Sequence, residues 1–364
     1  MSFLNVHNAA EIVRQNLKTA KDNLLSFGVS FLDDAMIGIL KNDLILVGAR
    51  SGAGKTQFCV NVALANVRAG KRVHFLALEA EQGEIETRII FQFFQELFTE
   101  NRKNWMAARM TEKNDELRMR LDAVYSKRFS YQQFALGETL QILPDLTNMA
   151  IEKLDSLEGL HTFYKSDKFD VRDFMLKVLE CDDETDLIIC DHVHYFDYDD
   201  DAENKSIKEI AKTARTLALE NGKPIILVSH LRKSDKNGDL VPSLEEFHGS
   251  SDLYKIATKA ITLAPGAWNA EGKMQTFVRI VKNRFDGSVT RVIGAVNYLI
   301  SEGRYEIEYK IGDANQKRDS GFTALEPFNY PQWARLPANS PRNNPSDAKK
   351  LPNYADKHRG QNTL

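Results

Sequence analysis

Three cysteines in 364 residues, Cys59, Cys181 and Cys190, leave no C-x-x-C pair and no ladder of spacings. That excludes a disulfide scaffold and a cysteine-held zinc site, and fits a reducing compartment. No apolar run approaches the length needed to span a membrane. The first residues, MSFLNVHNAAEIVRQ, lack the basic start and apolar core of a secretory leader. A cytoplasmic protein without a membrane partner is therefore expected. Basic charge is also missing: the formal net charge is −3, so contact with nucleic acid would have to come from a local patch or a lined channel. Proline is scarce outside one region, since six of the ten lie beyond residue 313. Hydrophobic content of 43% and charged content of 27% are those of an ordinary globular chain, long enough for one large core or two modest ones.

What the chain does have is concentrated at residues 44–57, LILVGARSGAGKTQ. A four-residue apolar run (Leu44–Val47) reads as a buried strand. Gly48, Gly52 and Gly54 keep the following turn free of side-chain bulk, and a helix opens at Lys55–Thr56 with Phe58, Val62, Ala65 and Ala69 on one face. Strand, glycine turn and helix start form a phosphate cradle. In it the backbone of Ala49, Arg50, Ser51, Gly52, Ala53, Gly54 and Gln57 surrounds the phosphates of ATP, Lys55 neutralises them, and the Thr56 hydroxyl ligates Mg²⁺. The usual first glycine of the pattern is Ala49.

Three further apolar runs end in polar residues. Arg72–Leu78 leads to Glu79, which either polarises a water attacking the γ-phosphate or is a solvated strand end. Asp186–Asp191 (DLIICD) has the form of a strand whose last acid holds Mg²⁺ through its water shell, opposite Thr56. His192 and His194 follow it and read as structural. Ile225–Ser229 delivers His230 to the same edge, where it either touches the γ-phosphate or merely finishes the strand.

Around these strands, residues 8–25 read as a capped helix with a narrow stripe (Val13, Leu17, Ala20, Leu24), suited to docking on a partner or on its own domain. Residues 99–160 read as helical and heavily charged. Ser206 and Glu209 form a capping box for a helix that stops at Gly222–Pro224. Ala260–Leu263 reads as a strand, and Gln275–Arg284 with Val289–Ile300 as a hairpin turning at Asp286–Gly287, with Lys282 and Arg284 on its edge. From about Asp313 the composition becomes Pro, Asn, Lys and Ser-rich, which reads as a disordered tail with a partner motif near Phe328–Trp333.

The order of these motifs resembles the RecA-like motor domain of DnaB-type replicative hexameric helicases, including those of phage primase-helicases, over about Phe27–Ile311. FGVSFLDDAMIGILKNDLILVGARSGAGKT is similar to that family's entry into the phosphate loop, alanine at position 49 included. FLALEAE, LIICDHVHYF, LVSHLRK and IVKNRFDG resemble its other signature segments. The resemblance implies Glu79 as catalytic base, Asp191 as Mg²⁺ ligand, His230 as γ-phosphate sensor, and Lys282 and Arg284 as cations acting on a neighbouring subunit's ATP. It further implies an α/β fold with a mainly parallel sheet, a homo-oligomeric ring of six, single-stranded DNA in its channel, and a primase, loader or polymerase as partner. Residues 1–26 correspond to a linker helix that docks on the next subunit, 27–312 to the motor domain and 313–364 to the tail.

The match has departures. The expected channel loop reads EEFHGSS without the family's arginine, leaving DNA contact to His248, Gly249, Ser250 and Lys255. The acidic YDDDAE loop stands where a channel-facing loop is expected. Two other readings therefore stay open: a RecA- or RadA-like recombination ATPase forming filaments on DNA, and a KaiC-like ATPase switch that ignores DNA.

Overall fold

The computed structural model describes residues 24–197, 203–231, 238–247, 251–268, 273–299 and 303–334, with six positions between 10 and 18. The expected N-terminal helix thus lies mostly outside the described residues. Its last expected residue, Leu25, instead forms an antiparallel bridge with Ile39.

Nine strands form one sheet in the order β3-β2-β4-β5-β1-β6-β7-β8-β9. They are β1 (Leu44–Ala49), β2 (Arg72–Ala77), β3 (Leu160–Tyr164), β4 (Thr185–Asp191), β5 (Ile225–His230), β6 (Lys259–Trp268), β7 (Lys273–Asn283), β8 (Val292–Leu299) and β9 (Arg304–Asp313). The first six pair in parallel, and β6 to β9 run as an antiparallel meander. The expected hairpin is the middle of that meander. Its connection is a 3-10 turn over Gly287–Arg291, so Val289 sits in the turn and not in the returning strand.

The parallel strands read as unbroken apolar runs because both of their faces are buried. Side chains alternate between faces. Ile45 and Val47 of β1, Leu187 and Ile189 of β4, and Ile226 and Val228 of β5 pack with Phe58 and Val62 of helix α1 (Lys55–Val67) and Ile85, Ile89 and Phe93 of helix α2 (Glu84–Ala108). Leu44, Leu46, Ile188, Cys190, Ile225 and Leu227 point the other way, onto Phe174 and Val178 of helix α3 (Val171–Glu180) and Ile207, Ile210, Ala211 and Ala214 of helix α4 (Glu203–Asn221). Between α2 and β3 come four shorter helices within residues 115–155.

The packed unit continues past the expected boundary at 312. Residues 313–334 carry three 3-10 turns, and Leu325 donates its N–H to the Ile311 carbonyl at 2.7 Å. Phe322 stacks on Phe277 (5.3 Å between centroids), and Trp333 meets Phe31 edge-on at 5.8 Å. Trp333, expected in a partner motif, is thus spent on the protein's own core. Residues 335–364 lie outside the described residues.

Candidate active site

Parallel pairing fixes which residues meet. Register sets Ala49 beside His230 and Ala77 beside Asp191, so the carboxyl ends of β1, β2, β4 and β5 finish at one edge. Crevices at such an edge are where open α/β sheets bind ligands. The loop after β1 turns through Gly52 (φ +75°) and Gly54 (φ +84°), torsions that only glycine adopts without cost, and the space a Cβ would occupy at each is open. Gly54 then starts α1, with the Gly54 carbonyl accepting from the Phe58 N–H at 2.9 Å. The free N–H groups and positive end of α1 therefore face the cradle. Ala53 is buried, Ser51 is exposed, and Gln57 is half-buried with an Nε2 that finds no partner among the described residues. Arg50 leans out of the cradle: its guanidinium pairs with Glu246 at 2.6 Å.

Lys55 is buried, with its Nζ 3.2 Å from Nδ1 of His230. Burial lowers the Lys55 pKa, against the pull of the Asp191 and Glu79 carboxylates. Burial, then the Lys55 charge, hold His230 down at about 4. A neutral ring can accept from the ammonium, so the two facts agree. Asp191 is 3% exposed; burial raises its pKa to about 6, Glu79 adds to that, and a hydrogen bond from Thr56 opposes it. Its Oδ1 has no hydrogen-bond partner among the described residues. A buried carboxylate oxygen without a donor, next to the Thr56 hydroxyl, fits a hydrated Mg²⁺.

Glu79 stands just beyond β2, with its N–H 3.4 Å from the Asp191 carbonyl and its side chain 44% exposed. It therefore borders both the cradle and open solvent. His192, read from the sequence as structural, lies beside it. His192 places Nε2 2.9 Å from the Glu79 Oε2, Tyr195 places its hydroxyl 3.5 Å from Oε1, and the ring of His230 meets His192 edge-on at 4.2 Å. Burial, then the neighbouring rings of His230 and His194, push His192 down to about 2. The available signal was position: a histidine following a strand-end acid must share the acid's edge.

The remaining sequence candidates are elsewhere. Arg284 is exposed at the end of β7, with its N–H bonded to the Thr258 carbonyl at 3.0 Å, and Thr258 in turn binds Leu44 at the start of β1. That is the opposite end of the sheet, about 20 Å away at a strand's rise. Lys282 is held by its own chain, its Nζ donating to the carbonyls of Tyr254 and of Lys255 at the end of the helix Ser251–Ile256. Neither cation can reach this chain's own cradle. Lys255 is exposed in the last turn of that helix. His248, Gly249 and Ser250 lie outside the described residues.

A family model described as DnaB-like helicase C terminal domain matches residues 25–296. The chain belongs to that family. This DnaB-like domain is 25% identical over 274 residues to a probable plasmid replicative DNA helicase of Chlamydia trachomatis, covering 70% of the chain and 52% of the relative. It is 25% identical over 322 residues to a DNA helicase/primase of Enterobacteria phage T3, covering 82% of the chain and 48% of that relative. It spans about half the length of the curated relatives it matches. Among solved structures it superposes on one described as an ATPase domain with a TM-score of 0.58 at 18% identity, covering 84% of this chain and 99% of that one. A DnaB-like replicative helicase studied with its primase gives a TM-score of 0.57 at 18% identity, over 84% of this chain and 67% of that one. These likenesses carry the fold, and it is the fold that the strand-end motifs implied. No helix among the described residues is long and apolar enough to cross a membrane.

Proposed function

We propose that this DnaB-like domain is an ATP-hydrolysing motor that moves along single-stranded DNA and unwinds duplex. The observation that carries the reading is the separation of its charged groups. Lys55, Thr56, Glu79, Asp191 and His230 converge at one end of the sheet while Arg284 faces outward at the other. Among the described residues no arginine finger reaches the cradle, and a site completed by a neighbour supports a closed ring of copies, six by family resemblance.

In this reading the cradle and Lys55 hold the β- and γ-phosphates. Mg²⁺, when bound between Thr56 and Asp191, neutralises charge on the phosphate oxygens. Glu79 accepts a proton from the attacking water. His230, bonded to Lys55, senses the γ-phosphate through that bond. Arg284 of the adjacent copy stabilises charge on the transferring group. Two contacts support a route from nucleotide to DNA. Arg50 pairs with Glu246, and Gly48 packs so closely on Phe247 that a Cβ there would lie 2.6 Å from the ring. Both partners immediately precede His248–Ser250, the segment we assign to DNA with Lys255 nearby. Residues 1–26 dock on the adjacent copy, and a primase, loader or polymerase meets the assembled ring in the cytoplasm.

The test is the steady-state ATPase rate at low salt with and without single-stranded DNA, followed by unwinding of a forked duplex. Stimulation with unwinding is expected. Stimulation with strand pairing and filaments would move the assignment to a recombination ATPase. Activity indifferent to DNA would move it to an ATPase switch.

A further inference from the structure

His192, the residue after Asp191, is 1% exposed and has no role in the reading above. Its Nδ1 accepts the backbone N–H of His194 at 3.3 Å, which closes the 3-10 turn Val193–Tyr195. A neutral imidazole with one nitrogen accepting carries its proton on the other. The hydrogen-bond network therefore assigns the hydrogen to Nε2. That nitrogen has no hydrogen-bond partner among the described residues, yet it lies 2.9 Å from Oε2 of Glu79. The approach is close without meeting the geometry of a hydrogen bond. Buried donors without acceptors are rare. The half-exposed Glu79 side chain has room to turn its carboxylate into line, and the edge-on ring of His230 fixes the plane of His192 meanwhile.

We propose that His192 is a positioning residue that latches Glu79. Its buried, uncharged N–H takes one carboxylate oxygen and leaves the other facing the water beside the γ-phosphate, with Tyr195 as a looser second hold at 3.5 Å. The inference rests on the reading of Glu79 as the base. An uncharged donor orients that base without setting a cation against it. The same atoms admit a second interpretation, because Glu79, His192 and His230 offer three ligand atoms within 4.8 Å of one another, a donor set for a transition metal. Two contacts argue against it. A ligating histidine donates its second N–H to an acceptor, whereas Nδ1 of His192 faces a donor. The Lys55 ammonium also lies 3.2 Å from His230.

The experiment compares His192→Phe, His192→Gln, Glu79→Gln and the double variant Glu79→Gln/His192→Phe in the full chain. Single-turnover hydrolysis of MgATP gives the rate, and a fluorescent ATP analogue gives nucleotide affinity. His192→Phe is expected to slow hydrolysis roughly 10- to 100-fold with affinity changed less than about twofold, as for a displaced catalytic group. His192→Gln, whose amide can donate, should recover most of the loss. In the Glu79→Gln background His192→Phe should cost nothing more, because residues that act as a unit are non-additive. Full activity of His192→Phe beside an inactive Glu79→Gln would overturn the latch alone. Parallel loss of affinity, no rescue by glutamine, or a further loss in the double variant would also overturn it. Inhibition of the wild type by micromolar Zn²⁺ that vanishes in His192→Phe would replace it with a cation site. A Glu79→Gln chain as fast as wild type would remove the base assignment and the latch together.

Discussion

The two ends of the central sheet differ in how they use charge. At the carboxyl ends of the parallel strands, Lys55, Asp191, His192 and His230 are packed within contact of one another, mostly buried, and titrate away from their ordinary values. At the other end, Lys282 caps a helix and Arg284 lies in solvent. The first end is built to hold an anion whether or not a second copy is present. The second carries Arg284 exposed, with no ion-pair partner among the described residues. In the proposed reading the domain carries its phosphate grip at one pole and the cation that completes a neighbour's site at the other.

The contrast is broken most completely by Lys55→Ala, which should abolish detectable MgATP binding in equilibrium titration; tight binding by the variant would remove the cradle assignment. Next comes Arg284→Ala. Nucleotide affinity should persist while hydrolysis falls on the order of 10³-fold, the usual cost of a lost arginine finger. Mixing that chain with Glu79→Gln should restore part of the turnover, since some interfaces then combine an intact cradle with an intact arginine. No recovery in any ratio would mean the site is not shared.

Milder changes test the packing that carries the two ends. Trp333→Ala should destabilise the domain by about 2 kcal/mol, below the usual cost for a fully buried aromatic because the indole is only half-buried. An unchanged urea midpoint would place residues 327–334 outside the cooperative unit. Acid should destabilise the domain through its buried histidines. His74 and His230 are held to about 4 and His192 to about 2, each chiefly by burial, so the unfolded chain takes up protons that the folded chain refuses. Stability present above pH 6.5 is then lost as pH falls through 4. Asp191, raised to about 6, works the opposite way over that range but is outnumbered. A thermal midpoint flat between pH 7 and pH 5 without nucleotide would contradict these assignments. The slightest change is expected for Glu246→Ala, which removes the partly exposed pair with Arg50 and should cost about 1 kcal/mol or less. Its informative readout is loss of DNA stimulation at an unchanged basal ATPase rate; retained stimulation would remove Glu246 from the route to DNA.

Local pattern made much of this legible. Four apolar runs ending in Ala49, Glu79, Asp191 and His230 are strands because both their faces are buried, and such runs need no partner to be read. The meander was harder. β9 (RYEIEYKIGD) is half-polar and lies at the sheet edge, so no apolar run announces it. The stretch 313–334 reads as a tail because its composition is polar and proline-rich, yet Phe322 meets Phe277 of β7 and Trp333 meets Phe31 of the helix Ser30–Met36. Composition reports the average of a segment, while two aromatic rings can anchor it.

Neighbours along the chain were enough to set the phosphate loop, the order of the strand-end residues and the family. Which of those residues meet was left to the folded sheet. Parallel register brought Glu79, Asp191 and His230 to Lys55 from three separate strands and set His192 beside Glu79, while the turn after β5 brought Glu246 to Arg50. Antiparallel pairing of β7 with β6 carried Arg284 to the far end of the sheet. Strand direction and register are set by pairing between segments distant in sequence, and no local periodicity encodes which partner a strand will take.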